Sequence, residues 1–204
     1  MTLAIALLVA YLLGSFPSAY LAGRWVKGVD LRTIGSGNLG ATNVYREVGA
    51  VAAVVVLAVD ATKGWLAVAA VPRVLAIGGG DWGAIALGVA AVFGHAKPVF
   101  LLWRGGGKGV AAATGVFVAL APLAIAVSVL AFGVSVSVTR IVSVGSVLGA
   151  VVLPLSVAII YGITQPVFIA SVAIALLVVW LHRANFRRIA LGQEPRLGRP
   201  GGAR

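Results

Sequence analysis

Residues 33–43 read TIGSGNLGATN, and glycines at this density permit positive φ and close backbone approach, so that consecutive N–H groups can form a concave anion nest. Gly35, Gly37 and Gly40 supply that backbone freedom, Ser36, Asn38, Thr42 and Asn43 add neutral donors, and Arg46 supplies a planar fork matched to phosphate oxygens. A polar loop with helix caps explains one Ser or Asn readily, but not this density. The three glycines also satisfy the G-x-G-x-x-G spacing of a dinucleotide-binding turn, with Asp60 about twenty positions later. Context argues against that reading. The fingerprint needs a buried strand before it and a compact βαβ unit around it, whereas here a charged linker precedes it and Asp60 sits inside a long apolar run.

A second glycine stretch, RGGGKG at 104–109, lacks the hydroxyl residue after the lysine and the upstream glycine of a nucleotide-binding P-loop, which disfavours ATP hydrolysis. What survives is a turned loop, Gly107 included, that presents Lys108 at the start of an apolar helix whose N-terminus also favours an anion. His95, with Lys97 and Pro98, interrupts the third apolar run, where the proline leaves backbone groups that His95 could satisfy. His182 and Asn185 lie three apart at the end of the last apolar run, so one helical face could present both. Ser143 and Ser146 share one face of a helix start, and on their own would be ordinary membrane-helix serines. Asp60 and Lys63 are costly inside an apolar run unless paired, so an internal ion pair is expected, one that could brace a site from behind.

The elements that must position these residues are set by composition. With 61% hydrophobic and 10% charged residues, and a mean hydropathy of +1.08, the chain has lipid for most of its solvent. The net charge of +11 could suggest nucleic acid, but the basic residues gather at the ends of apolar runs and in the tail, as the positive-inside rule requires, and no nucleic-acid partner is expected. Without cysteine, and with two histidines and five carboxylates, a metal site held by the protein is not expected, nor is a cofactor.

Apolar runs occupy approximately 3–23, 49–71, 82–103, 109–138, 141–163 and 166–181. Arg24, Lys27, Arg32 and Arg46 place the first connection in the cytoplasm, the connection with Arg73 and Asp81 fits outside, and Arg104 and Lys108 bring the third inside. A single crossing over 109–138 would put the arginine-rich tail outside, so the chain is expected to break at Pro122 into two short helices and return to the cytoplasmic side. The expectation is an all-α integral membrane protein of about seven transmembrane helices, two of them short around Pro122, with the N-terminus outside and the C-terminus cytoplasmic. Residues 1–204 form a single membrane domain in this reading, and 182–204 its basic cytoplasmic tail.

The motifs GSGNLGATNVYR, GH followed by PVF and GGKG, RIVSVGS and HRANFRRIALGQE occur in an order that resembles the bacterial PlsY family of integral-membrane acyl-phosphate:glycerol-3-phosphate acyltransferases, over nearly the whole chain. Two departures are visible: Arg104 and an additional glycine precede GGKG, and HRAN lacks an acidic residue before its asparagine. The resemblance implies transfer of a fatty acyl group from acyl phosphate to the 1-hydroxyl of sn-glycerol 3-phosphate, giving lysophosphatidic acid for phospholipid synthesis. It also implies a bacterial cytoplasmic (inner) membrane location with the site facing the cytoplasm, contact with membrane lipids, and the acyl-phosphate-producing enzyme as a partner. Carried over by position, Ser36, Arg46, Lys108, Ser146, His182 and Asn185 would form the polar pocket, with Ser36, Lys108 and His182 nearest the reaction and His95, Gly107 and Ser143 added to the substrate- or phosphate-binding set. Gly35, Gly37, Asn38, Gly40, Thr42 and Asn43 would shape the adjoining loop, and the alkyl chain would lie between apolar helices. The competing reading is a membrane carrier for an organic phosphate, which needs the same pocket and no reaction.

Overall fold

The computed structural model describes residues 2–78 and 80–198, so the end of the expected tail, 199–204, lies outside the described residues. Among the described residues the chain is helical, with no strand. Five helical segments among those residues are long and apolar enough to cross a membrane: Thr2–Lys27, Ala50–Ala69, Gly80–Leu101, Pro122–Thr139 and Val142–Ile160. A sixth results if Pro166–Leu181 and Arg183–Ala190, bent by 49°, form one span. By its contacts the chain divides into two units, Met1–Leu120 and Ala121–Arg204.

The first unit contains α1 (Thr2–Ser15), α2 (Ser18–Lys27), α3 (Ala41–Glu47), α4 (Ala50–Ala69), α5 (Val71–Val74), α6 (Gly80–Ala96), a 3-10 turn at Val99–Leu101, and α7 (Val110–Leu120). The buried residues of α4, namely Ala53, Val56, Asp60, Lys63, Gly64, Ala67 and Val68, follow a spacing of three to four positions along one face, while Val51, Val54 and Leu57 stay exposed. The helix therefore has a protein face and a face suited to lipid. Lipid tails are as apolar as leucine, so helices in a membrane associate by close approach of small residues instead. A Cβ on Gly64 would overlap the Ala112 carbonyl and one on Gly115 the Ala61 carbonyl, which brings the backbones of α4 and α7 into contact. Gly14 against Ala91 and Gly94 against Tyr11 do the same for α1 and α6.

The second unit contains α8 (Pro122–Thr139), α9 (Val142–Ile160), α10 (Pro166–Leu181) and α11 (Arg183–Ala190). Pro122 and Pro166 sit in the first turns of α8 and α10, where the missing N–H has no intrahelical partner to lose. The break expected at Pro122 is present, but the helices flanking it are unequal. Only α7 is short, at 11 residues, while α8 runs 18 residues because nothing after its N-terminal proline interrupts the apolar run. Ser128 Oγ donates to the Gly149 carbonyl at 2.6 Å and ties α8 to α9.

Candidate active site

Loop 28–40 of the first unit is organised around Asn43, which is 1% exposed. Its Nδ2 donates to the Leu31 and Ile34 carbonyls at 3.2 and 3.3 Å, and its Oδ1 accepts the backbone N–H of Ser36 at 3.0 Å. The amide thus replaces missing backbone partners and holds the loop in a hairpin-like turn above α3. Gly35 (φ 58°) and Gly37 (φ 68°) both adopt left-handed backbone. At Gly35 a Cβ would also collide with Asn43 and Glu47, so only glycine fits there. Ser36, between them, is exposed; Asn38, Gly40 and Thr42 are half-buried, with Gly40 the N-cap of α3, and Arg46 is half-buried in its last turn.

The glycine loop at 104–109 joins this turn. The Leu39 N–H donates to the Gly106 carbonyl at 3.1 Å, and the Gly107 N–H donates to the His95 carbonyl at 3.1 Å. Arg32 adds a long contact of 3.5 Å from Nη1 to the Arg104 carbonyl. Its guanidinium lies 5.0 Å from the Tyr20 ring centroid and bonds Asp30. The Arg32 hydrogen bonds hold the Asp30 carboxyl at about 2, below its ordinary 3.8, and Asp30 in turn raises Arg32. Lys108 is half-buried and follows directly on this junction. Two stretches separated by more than sixty residues in sequence are therefore one backbone-bonded surface, carrying Ser36, Arg46 and Lys108.

Behind it lies a buried polar cluster. Asp60 Oδ1 accepts Ser18 Oγ at 2.6 Å and pairs with Lys63 Nζ at 2.8 Å, and His95 Nδ1 stands 3.6 Å away. Lys63 Nζ also donates to the Phe16 carbonyl at 3.1 Å. The pairing of Asp60 with Lys63 is the one expected from their spacing. The addition of Ser18 and His95 was not legible in sequence, because it depends on α2 and α6 flanking α4. Phe16 and Lys63 line both a small cavity against His95, Gly106 and Gly107 and an apolar cleft of about 570 Å³ walled by Val9, Leu13, Ala58, Leu66 and Phe100.

In the second unit, Ser143, Ser146, His182 and Asn185 are all buried. Ser143 Oγ and Asn185 Nδ2 both donate to Glu194 Oε1, at 2.7 and 2.6 Å, and Arg188 Nε donates to Oε2 at 2.7 Å. Burial raises the Glu194 pKa, and the bonds from Asn185, Ser143 and Arg188 outweigh it and hold the carboxyl below its ordinary range. Sequence reasoning missed Glu194 as an anchor, although it stands alone as an acid in a basic tail. Ser146 Oγ donates to the Val142 carbonyl, one turn back, at 3.0 Å. His182 ends α10 and precedes α11, and its Nδ1 lies 2.7 Å from the Val178 carbonyl. A carbonyl can only accept, so Nδ1 carries a proton.

The sequence model of the glycerol-3-phosphate acyltransferase family matches residues 4–192. The glycerol-3-phosphate acyltransferase of Parasynechococcus marenigrum (strain WH8102) is 46% identical over 199 residues, spanning 97% of this chain and 91% of that protein. That of Anaeromyxobacter dehalogenans (strain 2CP-1) is 44% identical over 197 residues, spanning 94% and 96%. The fold is similar to the crystal structure of PlsY, an integral membrane glycerol 3-phosphate acyltransferase, in its glycerol 3-phosphate form. The TM-score is 0.87 at 35% identity, covering 97% of this chain and 96% of that one. The lysophosphatidic acid form of PlsY superposes with a TM-score of 0.81 at 34% identity.

Proposed function

The chain belongs to the glycerol-3-phosphate acyltransferase family, and from that premise we propose that it moves a fatty acyl group from acyl phosphate to the 1-hydroxyl of sn-glycerol 3-phosphate, releasing lysophosphatidic acid and inorganic phosphate. The observation that carries this reading is an apolar cleft that shares two lining residues, Phe16 and Lys63, with the small cavity against the glycine loop. One substrate carries a phosphate alone and the other a phosphate on an alkyl chain. A donor-rich surface beside a chain-sized cleft meets both needs.

In this reading Arg46 engages phosphate, while the Ser36 and Gly37 N–H groups, already bonded to Asn43 Oδ1 and the Ile34 carbonyl, fix the form of the loop beside it rather than form the expected anion nest. Lys108 stabilises the oxyanion and phosphate charge that develop as the hydroxyl attacks the acyl carbon. Ser36 binds rather than attacks, since acyl phosphate already has a good leaving group and the serine bonded to the carboxylate beside His95 is Ser18, not Ser36. A phosphate oxygen of bound substrate accepts the hydroxyl proton, and His182 belongs to the polar set of the second unit. Ser146 and Asn185 complete the polar set of the second unit. The basic residues of the connections at 24–46 and 97–108 support a cytoplasmic site in the bacterial inner membrane, with the N-terminus outside. The enzyme that makes the acyl phosphate would then deliver it from the same side.

The test is a detergent assay with defined donors. Purified protein is expected to consume acyl phosphate only when glycerol 3-phosphate is present, and to form lysophosphatidic acid and phosphate in equal amounts. Turnover with an acyl thioester but none with acyl phosphate would replace the donor, and no turnover with either would return the carrier reading.

A further inference from the structure

Gly107 has no side chain because the imidazole of His95 occupies the place one would take: a Cβ there would overlap Nε2 and Cε1. A Cβ on Gly106 would overlap the Ala96 carbonyl. The glycine loop is therefore laid directly on the end of α6, with its Gly107 N–H on the His95 carbonyl and its Gly106 carbonyl taking the Leu39 N–H. On the other edge of the imidazole, Nδ1 faces Asp60 Oδ1 at 3.6 Å, longer than a hydrogen bond but close enough for the carboxylate to orient the ring. Asp60 is 1% exposed, and its own position is fixed from two helices by Ser18 Oγ and Lys63 Nζ.

We infer that Asp60 and His95 are positioning residues for the loop that carries Lys108: the carboxylate orients the imidazole, and the imidazole is the shelf that sets the height of Gly107. An intramembrane ion pair used only for helix packing would have no need of a third group directed at the site, and a histidine serving only to satisfy a kinked helix end would not have its ring under a loop backbone. Here the side-chain cluster ends on the backbone one residue before Lys108. The inference rests on the role given above to Lys108, and the experiment separates the two.

The experiment uses the full chain in detergent and compares Gly107→Ala, His95→Ala, the double variant, and Asp60→Asn, an isostere that can still accept from Ser18. Hydrogen exchange across residues 104–110 is measured alongside kcat and KM. If the ring is the shelf, Gly107→Ala loses activity because its methyl meets the imidazole, and removing the ring relieves that loss. Kinetic coupling between the two is then expected in the range of about 2- to 150-fold, as for residues in direct contact. Asp60→Asn is expected to speed exchange in 104–110 at least tenfold, as a rough threshold for a lost local support, with exchange in α1 and α7 unchanged. Independent effects at 95 and 107, together with unaltered loop exchange in Asp60→Asn, would overturn the inference. If His95→Ala does not fold, His95→Asn and Asp60→Asn decide it by loop exchange alone. Faster loop exchange with full turnover would support the shelf and remove Lys108 from the reaction.

Discussion

Asn185 and Ser143 meet on one carboxylate oxygen, Glu194 Oε1, at 2.6 and 2.7 Å. Two residues that sequence reasoning assigns to substrate are thus also the means by which the end of the chain is clamped to α9. Arg188 completes the clamp on Oε2, and the Leu197 N–H donates to the Arg140 carbonyl at 2.7 Å beyond it. Glu194→Gln keeps the shape but removes the charge from three bonds, and turns an NH₂ group towards donors. It should cost about 1–3 kcal/mol of stability, the range for spoiling a buried charged hydrogen bond, read as a lower unfolding temperature in detergent.

The same carboxylate makes stability depend on pH in a known direction. Its folded pKa lies below the ordinary 4.5, so its contribution is fully present above that value and is lost as pH falls through the folded value. Asp30, held at about 2 against an ordinary 3.8, acts in the same sense between those two values, more weakly because its pair with Arg32 is partly solvated. Unfolding temperature should fall on acidification below about 4.5, and Glu194→Gln should flatten the upper part of that fall. A pH dependence identical in wild type and variant would contradict the clamp.

Asn43→Ala should release the loop carrying Ser36. Two carbonyls and one N–H lose their partners at once, and each buried group left unsatisfied costs about 1–3 kcal/mol unless water reaches it. Asn43→Asp is the informative comparison, because a carboxylate can still accept from Ser36 but cannot donate to the Leu31 and Ile34 carbonyls. Both variants should raise KM for glycerol 3-phosphate, with Asp the worse owing to its added negative charge beside a phosphate site. An unchanged KM in both would mean that the loop's form does not matter to binding.

How much of this was readable in the sequence depends on the distance over which each feature is determined. Five or six spans among the described residues were legible from apolar runs, fewer than the seven helices expected, and the break at Pro122 from the chemistry of one residue. The length of α8 was not, because a proline marks where a helix starts and carries no information on where it stops. The left-handed backbone was legible at Gly35 and Gly37, since positive φ is a local demand, whereas the N–H groups of Ser36 and Gly37 are bonded inside the loop and do not form the expected nest. The inward turn of Asn43 was not, because it is drawn in by carbonyls up to twelve residues away. Asp60 with Lys63 is a helical i,i+3 pair that spacing reveals. Ser18 and His95 enter the same cluster from other helices, and no periodicity within one segment encodes that.

Lys108→Ala and Ser36→Ala should separate charge stabilisation from binding. If Lys108 stabilises charge only in the transition state, its loss should cost about 2.7–4 kcal/mol, as for an oxyanion donor, and kcat and kcat/KM should fall together. Ser36→Ala should mainly raise KM and leave measurable turnover, with no acyl-protein trapped by denaturation during the reaction. A burst of covalent acyl label on wild type that disappears in Ser36→Ala would instead make Ser36 the nucleophile.

Gly115 and Gly133 should respond in opposite directions to the same substitution. At Gly115 in α7 a Cβ would overlap the Ala61 carbonyl and stand 2.9 Å from the Trp65 backbone nitrogen, so the obstacle is backbone on both counts and cannot rotate aside. Gly115→Ala must push α7 away from α4, the helix that carries Asp60 and Lys63, at a cost of about 1–3 kcal/mol for overpacking. At Gly133 in α8 nothing lies within 4 Å of the added methyl, and there the substitution should stabilise the helix by about 0.5–1 kcal/mol through reduced backbone entropy. Unfolding temperatures in detergent should therefore move in opposite directions. Because α7 begins directly after the Lys108 loop, Gly115→Ala should also lower turnover while Gly133→Ala leaves it intact. Equal small shifts at both sites would show that α4 and α7 are not in backbone contact.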